Sequence, residues 1–298
     1  MSINIPEIED AEVIFNIGYN GPASHPIVAR RIVRAKKKGC KIICVDPRKT
    51  ETARIADIYL PIKGGTNMLF LNAMAHVIVT SDLVDHDFIK AHTTGFEEYA
   101  AEISQKKYAP EAVSLATGLA AGDIRAAARL FASSKHTITL WGMGVTQFSQ
   151  GVECVIACSN LNLMTGNYGR HASGVGPVRG QNNVQGTCDM GLLPNNYPGY
   201  QPVADPQVRQ KFEKAWGRPL PSKPGMMLTQ VPHAVLEEKD PAKKIHAYYI
   251  IGEDPAQSDP NLAEVRETLS NIDFVIVQDI FFNKTCEYAD VIFPATAW

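Results

Sequence analysis

Nine consecutive residues, Val178-Arg179-Gly180-Gln181-Asn182-Asn183-Val184-Gln185-Gly186, carry one guanidinium, four carboxamides and two glycines. These are planar donors and acceptors in a row, with glycines where a backbone must come close to something. The run has neither a 3.6-residue nor a two-residue apolar period, which predicts a loop. Such a loop is either a solvated turn cluster or a surface held against a large polar ligand. The apolar run-in from Gly174 to Val178 and the run-out from Cys188 to Leu193 favour a loop held inside the protein. There each amide needs a partner.

The elements that would hold this loop read as repeated α/β units. Val13–Ile17 is a short buried strand ending at Gly18, followed by a turn at Tyr19–Ala23. Ser24 is placed to cap the helix that Pro26 opens. Gly39 stops that helix, and Lys41–Val45 forms the next strand, so the two strands should be parallel. A third strand, Ile58–Ile62, leads through Gly64-Gly65 into a helix from Met68 to Val79. Residues 82–132 read as helices broken near Gly95, Pro110 and Gly118. Thr137–Trp141 is a strand closed by Gly142-Met143-Gly144, with a helix from about Ser149 to Met164. Residues 194–242 are rich in proline and polar residues, with a short helix near Val208–Trp216, and read as a long ordered excursion. Strands at His246–Ile251, Phe274–Val277 and Asp290–Pro294 alternate with a helix at Asn261–Leu269. The fold class expected is α/β: two doubly wound, mostly parallel sheet units flanked by helices, spanning 1–181 and 182–298.

Ligands of open parallel sheets sit beyond the carboxyl ends of the strands. In the first unit those positions hold Asn20, Ser24, Asp46, Arg48, Gly65, Asn67, Gly142, Met143, Gly144 and Gln147. In the second they hold Gly252, Glu253, Asp254, Ser258, Gln278 and Asp279. Each alone has an ordinary reading: Ser24 as a helix cap, Asp46, Asp254 and Asp279 as turn residues, Arg48 as half of a surface ion pair. Two matching units point instead to a nucleotide-like ligand, with an acid ending the second strand where dinucleotide folds grip a sugar or base. The G-x-G-x-x-G fingerprint is absent, so ordinary NAD binding is not supported.

Composition narrows the remaining classes. A net charge of -2 and no basic run beyond Lys36-Lys37-Lys38 argue against a nucleic-acid partner. No apolar stretch approaches a membrane span and no signal-peptide pattern opens the chain, so a cytoplasmic location without membrane insertion is expected. The six cysteines include no Cys-x-x-Cys. They read as buried reduced thiols, with no metal ligands among these residues.

Taken with Asp46-Pro47-Arg48-Lys49, Trp141-Gly142-Met143-Gly144, Leu163–Asn167, Gly252-Glu253-Asp254-Pro255 and Val277–Ile280, the Arg179–Gly191 stretch carries a family resemblance. The chain resembles the molybdenum- or tungsten-dependent formate dehydrogenases of the bis-pterin (dimethyl sulfoxide reductase) superfamily. The resemblance implies two molybdopterin guanine dinucleotides around one Mo or W, one dinucleotide per α/β unit. It places Arg179 on the formate carboxylate and Gln181 against a pterin, and carries Gly180 and Gly252 into the cofactor-binding set with the strand-end residues. It also implies iron–sulfur electron-transfer partners. The family's 4Fe–4S domain and its metal-ligating cysteine or selenocysteine, followed by histidine, match nothing within these residues. The expectation is therefore a central piece of a larger subunit, inactive alone and meeting the remaining domains of that subunit. A selenocysteine codon read as stop, upstream of Met1, would account for the start. Ala23 and Ala295 depart from the family's usual polar residues. Nitrate and arsenic-oxyanion reductases, or a non-catalytic relative in a respiratory complex, are the alternatives; the arginine-and-amide stretch speaks against the reductases, and the intact Arg179 with the strand-end polar residues speaks against the non-catalytic relative.

Overall fold

The computed structural model describes residues 2–241 and 243–297. The chain divides into two compact units, Met1–Val184 and Gln185–Trp298. The expected boundary at 181/182 lies three residues earlier.

The first unit is built on five parallel strands: β1 Val13–Ile17, β2 Lys41–Val45, β3 Ile58–Leu60, β4 Thr137–Trp141 and β5 Gly174–Pro177. Their order is β3-β2-β1-β4-β5, and every pairing is parallel. Burial on both faces explains the continuous apolar runs of the strands. Alternation along β1 sends Val13, Phe15 and Ile17 into one core and Ile14 into the other. Phe15 is fully buried, edge-on to Phe131 at 5.5 Å. A Phe15→Ala change should therefore cost about 3–5 kcal/mol.

The connecting helices are α1 Gly21–Ser24, α2 Pro26–Lys37, α3 Glu51–Ile55, α4 Asn67–Thr80, α5 His86–His92, α6 Phe96–Ile103, α7 Pro110–Thr117, α8 Ala121–Ala132, α9 Met143–Thr146 and α10 Gly151–Met164. The core under α4, α8 and α10 is the larger; α2 covers the opposite face. Helix breaks at Gly95 and Gly118 fall where both glycines take positive φ, +73° and +74°.

Three local expectations change. Ser24 does not cap α2. His25 occupies that position, and the Ser24 hydroxyl donates back to the Asn20 carbonyl because residues 21–24 coil into α1 instead of an open turn. The apolar run-in to the amide-rich stretch is β5, a sheet strand whose two glycines hid its period. Finally, the stretch is not loop throughout, since Val184–Asp189 forms a short helix, α11. Its buried contact is Cys188, too little to leave a periodic signature. Residues 179–183 are exposed, as are Met190 and Leu192, so the run-out is not a buried flank.

In the second unit, residues 194–241 include an aromatic cluster. A small antiparallel hairpin, β6 Asn196–Tyr197 with β7 Gln201–Pro202, packs on α12 Pro206–Trp216. Tyr197 stacks on Phe212 at 4.6 Å, and Trp216 lies 5.1 Å from Phe212. After α13 Val231–Leu236, a parallel sheet follows: β8 Ala247–Ile251, β9 Phe274–Asp279 and β10 Val291–Pro294, with α14 Pro255–Ser258 and α15 Leu262–Ser270 on the connection. Ile250, Val275, Val277 and Leu269 form its core. Among the described residues no helix is long and apolar enough to cross a membrane. The six cysteines are buried.

Candidate functional site

The order β3-β2-β1-β4-β5 reverses direction between β1 and β4, so the carboxyl ends of those two strands open a crevice. Two glycines keep the strand ends close. A Cβ on Gly144 would sit 2.6 Å from the Gly18 Cα, and one on Gly18 would sit 2.6 Å from the Gly144 carbonyl carbon. Gly18 also has φ +56°, a left-handed conformation that costs glycine little. The Gly144 amide donates to the Gly18 carbonyl at 3.1 Å. Asn67, 7% exposed at the start of α4, donates from Nδ2 to the Gly144 carbonyl at 3.0 Å.

Beside this junction lies a cleft of about 220 Å³, lined by Asn20, Asp46, Arg48, Gly65, Asn67 and Gly144. Six of the sequence-predicted residues thus come together. Asp46 is 6% exposed and one of its oxygens accepts the Arg48 amide at 2.8 Å, fixing the turn after β2. Asn20 keeps a buried Oδ1 with no protein partner. Around Gly65, at φ +80°, and around Gly64 a Cβ would meet nothing within 4 Å. A buried acceptor, a carboxylate, a guanidinium and open glycine backbone suit a ligand with both N–H donors and phosphate oxygens.

A second cleft of the same unit, about 450 Å³, opens beyond β4 and β5 and is lined by Trp141, Gly142, Met143, Arg179 and Gly180. The Val178 amide donates to the Trp141 carbonyl at 2.8 Å, so Arg179 leaves the sheet at this point. Met143 is 54% exposed and lies under Gly180. Arg179 and Gln181 are exposed. Ser24, Gln147 and Gln181 are not among the lining residues of either cleft.

The predicted residues of the second unit follow β8 and β9. Asp254 accepts at Oδ1 from the Thr285 amide at 2.9 Å and from its hydroxyl at 2.6 Å. Asp279 accepts from the Phe281 amide at 3.2 Å and from Asn283 Nδ2 at 2.8 Å. The Gln278 side chain accepts from the Tyr249 hydroxyl, and its carbonyl accepts the Gly252 amide at 2.8 Å. Ser258 donates to the Asp254 carbonyl at 3.0 Å. Partial burial pushes the Glu253 carboxyl up from its ordinary value, and the negative charge of Asp259 adds to the rise. A cavity of about 140 Å³ in this unit is lined by a different set that includes Tyr248, Asp259, Asn261 and Glu264.

Three residues that carry site geometry escape a reading by type. Asn16, in the middle of β1, donates to the Tyr19 carbonyl at 2.9 Å and leaves its own Oδ1 buried and unpartnered. Tyr19 is 3% exposed with an unpartnered hydroxyl, and burial pushes its phenol well above the ordinary value. His25 bonds through Nε2 to the Arg179 carbonyl. The only sequence signal for His25 was its place, before Pro26, where a small cap residue is usual. Among the described residues, no group of three or more His, Cys, Asp or Glu could hold a metal.

A parallel α/β unit with polar residues gathered at its switch point is an architecture in which nucleotide-like ligands bind at that crevice. The molybdopterin oxidoreductase family matches residues 1–298, and the chain belongs to that family. The family implies a molybdopterin cofactor, which the orphaned Asn20 acceptor and the glycine-lined cleft fit. The chain is 50% identical to formate dehydrogenase H of Escherichia coli (strain K12), over all of this chain and 41% of that protein. It is 45% identical to the F420-dependent formate dehydrogenase 1 subunit alpha of Methanococcus maripaludis, over all of this chain and 43% of that protein. It therefore spans about two fifths of the length of these relatives. Among solved structures, acetylene hydratase from Pelobacter acetylenicus superposes with a TM-score of 0.71 over 97% of this chain and 43% of that one. At 22% identity this is a likeness of fold.

Proposed function

We propose that the chain is the central part of a formate dehydrogenase catalytic subunit, in which Arg179 holds the substrate carboxylate. The reaction is HCOO⁻ → CO₂ + H⁺ + 2e⁻, or its reverse, and the bound pterin-held Mo or W supplies the two-electron redox chemistry. The observation that carries this reading is the place of Arg179: just past the end of β5, lining the cleft beside Gly142 and Met143. A guanidinium is a planar fork of donors that matches a two-oxygen anion. CO₂ carries no charge, so the same contact weakens on the product side and favours release.

Asn20, Asp46, Arg48, Gly65 and Asn67 would hold one guanine dinucleotide, with Ser24, Gly142, Met143, Gly144 and Gln147 flanking it. Gly252, Glu253, Asp254, Ser258, Gln278 and Asp279 would serve the other, and Gly180 and Gln181 would lie against a pterin. Electrons would leave through iron–sulfur groups of the intact subunit and its partners. The names of the relatives support the substrate; the fold alone does not choose a chemistry.

The test is Arg179→Ala in the full-length subunit, at equal metal and pterin content. Loss of a bidentate charged contact of about 3 kcal/mol lowers kcat/KM for formate on the order of 10²-fold. Unchanged formate kinetics in the loaded variant would remove the role.

A further inference from the structure

We propose that His25 is the positioning residue for Arg179. It ties the turn after β1 to the loop after β5 and so holds the substrate arginine over its cleft. The inference rests on the substrate role of Arg179 given above.

The bridge joins residues 154 apart in sequence, through His25 Nε2 and the Arg179 carbonyl. In the sheet, β4 lies between β1 and β5, so the bridge joins the segments that follow two strands separated by a third. The ring is held on other sides as well. Nδ1 lies 3.0 Å from the Ser24 hydroxyl, which in turn lies 2.9 Å from the Asn20 carbonyl. The buried Tyr19 ring packs at 5.5 Å between centroids. A carbonyl accepts only from a nitrogen that bears hydrogen, so Nε2 carries one toward Arg179. Asn20 lines the first cleft and Arg179 the second, so one short chain of side chains links both.

His25 is also the N-cap of α2, yet its side chain caps nothing there. A serine, aspartate or asparagine would satisfy a helix amide at this position. The imidazole is committed to the Arg179 main chain instead of to its own helix. Fixing that carbonyl restricts the peptide on which the guanidinium swings, which lowers the ordering cost of substrate binding without touching the substrate.

This arrangement separates positioning from a merely structural role. His25→Asn supplies a good helix cap but is too short to reach the Arg179 carbonyl; His25→Gln retains a donor at the reach of Nε2. In the full-length holoenzyme at matched metal and pterin content, His25→Asn should raise the formate KM about tenfold with kcat within about twofold. Amide hydrogen exchange across residues 178–184 should quicken, while thermal stability does not fall. His25→Gln should return KM and loop exchange to within about threefold of wild type. Wild-type KM and wild-type loop exchange in His25→Asn would overturn the proposal, as would a loss of stability with no effect on KM. Arg179→Ala measured in parallel separates the two ideas. If it leaves the formate kinetics unchanged, the substrate role of Arg179 fails; if it lowers kcat/KM while His25→Asn leaves KM unchanged, only the positioning role fails.

Discussion

Gly144→Ala should be among the most damaging single-methyl changes in the first unit, and the reason is steric. No left-handed backbone is involved at Gly144, so added volume is the whole perturbation. The new Cβ would lie 2.6 Å from the Gly18 Cα, 2.7 Å from its oxygen and 3.0 Å from its carbonyl carbon. Carbon atoms in contact sit about 3.5–4.0 Å apart. The two strand ends must therefore separate by about 1 Å, and the obstruction is backbone that cannot rotate away. Separation disturbs the Gly144 amide bond to Gly18 and the Asn67 bond to the Gly144 carbonyl. Two net hydrogen bonds at about 1 kcal/mol each and overpacking of about 1–3 kcal/mol give a cost of about 3–5 kcal/mol if both bonds are lost, nearer 2 if both are kept. At about 2–4 °C per kcal/mol for a unit of this size, the melting temperature falls by roughly 4–20 °C. Because Gly144 also lines the cleft with Asn20 and Asp46, pterin content per chain should fall in parallel. Gly122→Ala is the control: a Cβ there meets nothing within 4 Å, in α8, so stability should hold or rise slightly. Thermal melts of the three chains, with pterin content, decide the matter. A Gly144→Ala protein that melts with wild type and keeps its pterin would refute the steric account of the switch point.

Three further outcomes follow from other contacts. Asp254→Ala leaves the amide of the fully buried Thr285 without its acceptor, so urea denaturation should show a loss of about 2–3 kcal/mol, with Asp254→Asn milder. Asp85 is held below its ordinary value first by the Lys135 ammonium at 2.6 Å and then by the Phe88 amide at 3.0 Å. Its folded pKa lies below the unfolded one, so its contribution is complete above about pH 4 and is lost as pH falls through the folded value. Asp85→Asn should flatten the stability profile below about pH 4, and an unchanged acid limb would refute the assignment. Burial pushes the Cys40 and Cys44 thiols up to about 12, so iodoacetamide at pH 8 should spare both in the native chain and label both in urea.

The strands and long helices were legible because burial on both sheet faces leaves apolar runs, and because Gly95, Pro110 and Gly118 punctuate the helices. β5 was not, since Gly174, Gly176 and Pro177 give it no β pattern; its strand character comes from pairing with β4. The short helices α1, α9 and α11 were read as turns or loop, because one helical turn is too short to show a period. In the first cleft, Asp46, Asn20 and Asn67 were visible from their places after strands. Ser24 was misread as a cap because its neighbour His25 occupies that position while its imidazole is directed elsewhere. Residue type suggested a cap at one position; tertiary geometry placed it at the next.

The two units show why a strand-end polar residue cannot be assigned from type and place alone. In the first sheet the order reverses between β1 and β4, and the residues there leave an acceptor of Asn20 unpartnered beside open glycine backbone. In the second, β8, β9 and β10 follow in sequence order, so there is no reversal among the described strands. Its acids meet their own chain: Asp254 binds Thr285, and Asp279 binds Phe281 and Asn283. A carboxylate whose lone pairs are taken by backbone amides is first a device that shapes a loop. It can serve a ligand only with the oxygen or the backbone surface left over. Contact with a second dinucleotide would then come chiefly from Glu253, whose carboxyl partial burial and Asp259 push upward, and from the peptide groups around Gly252 at φ +63°. The first unit makes its strongest case through an unsatisfied side chain, the second through the loop shape its satisfied side chains enforce.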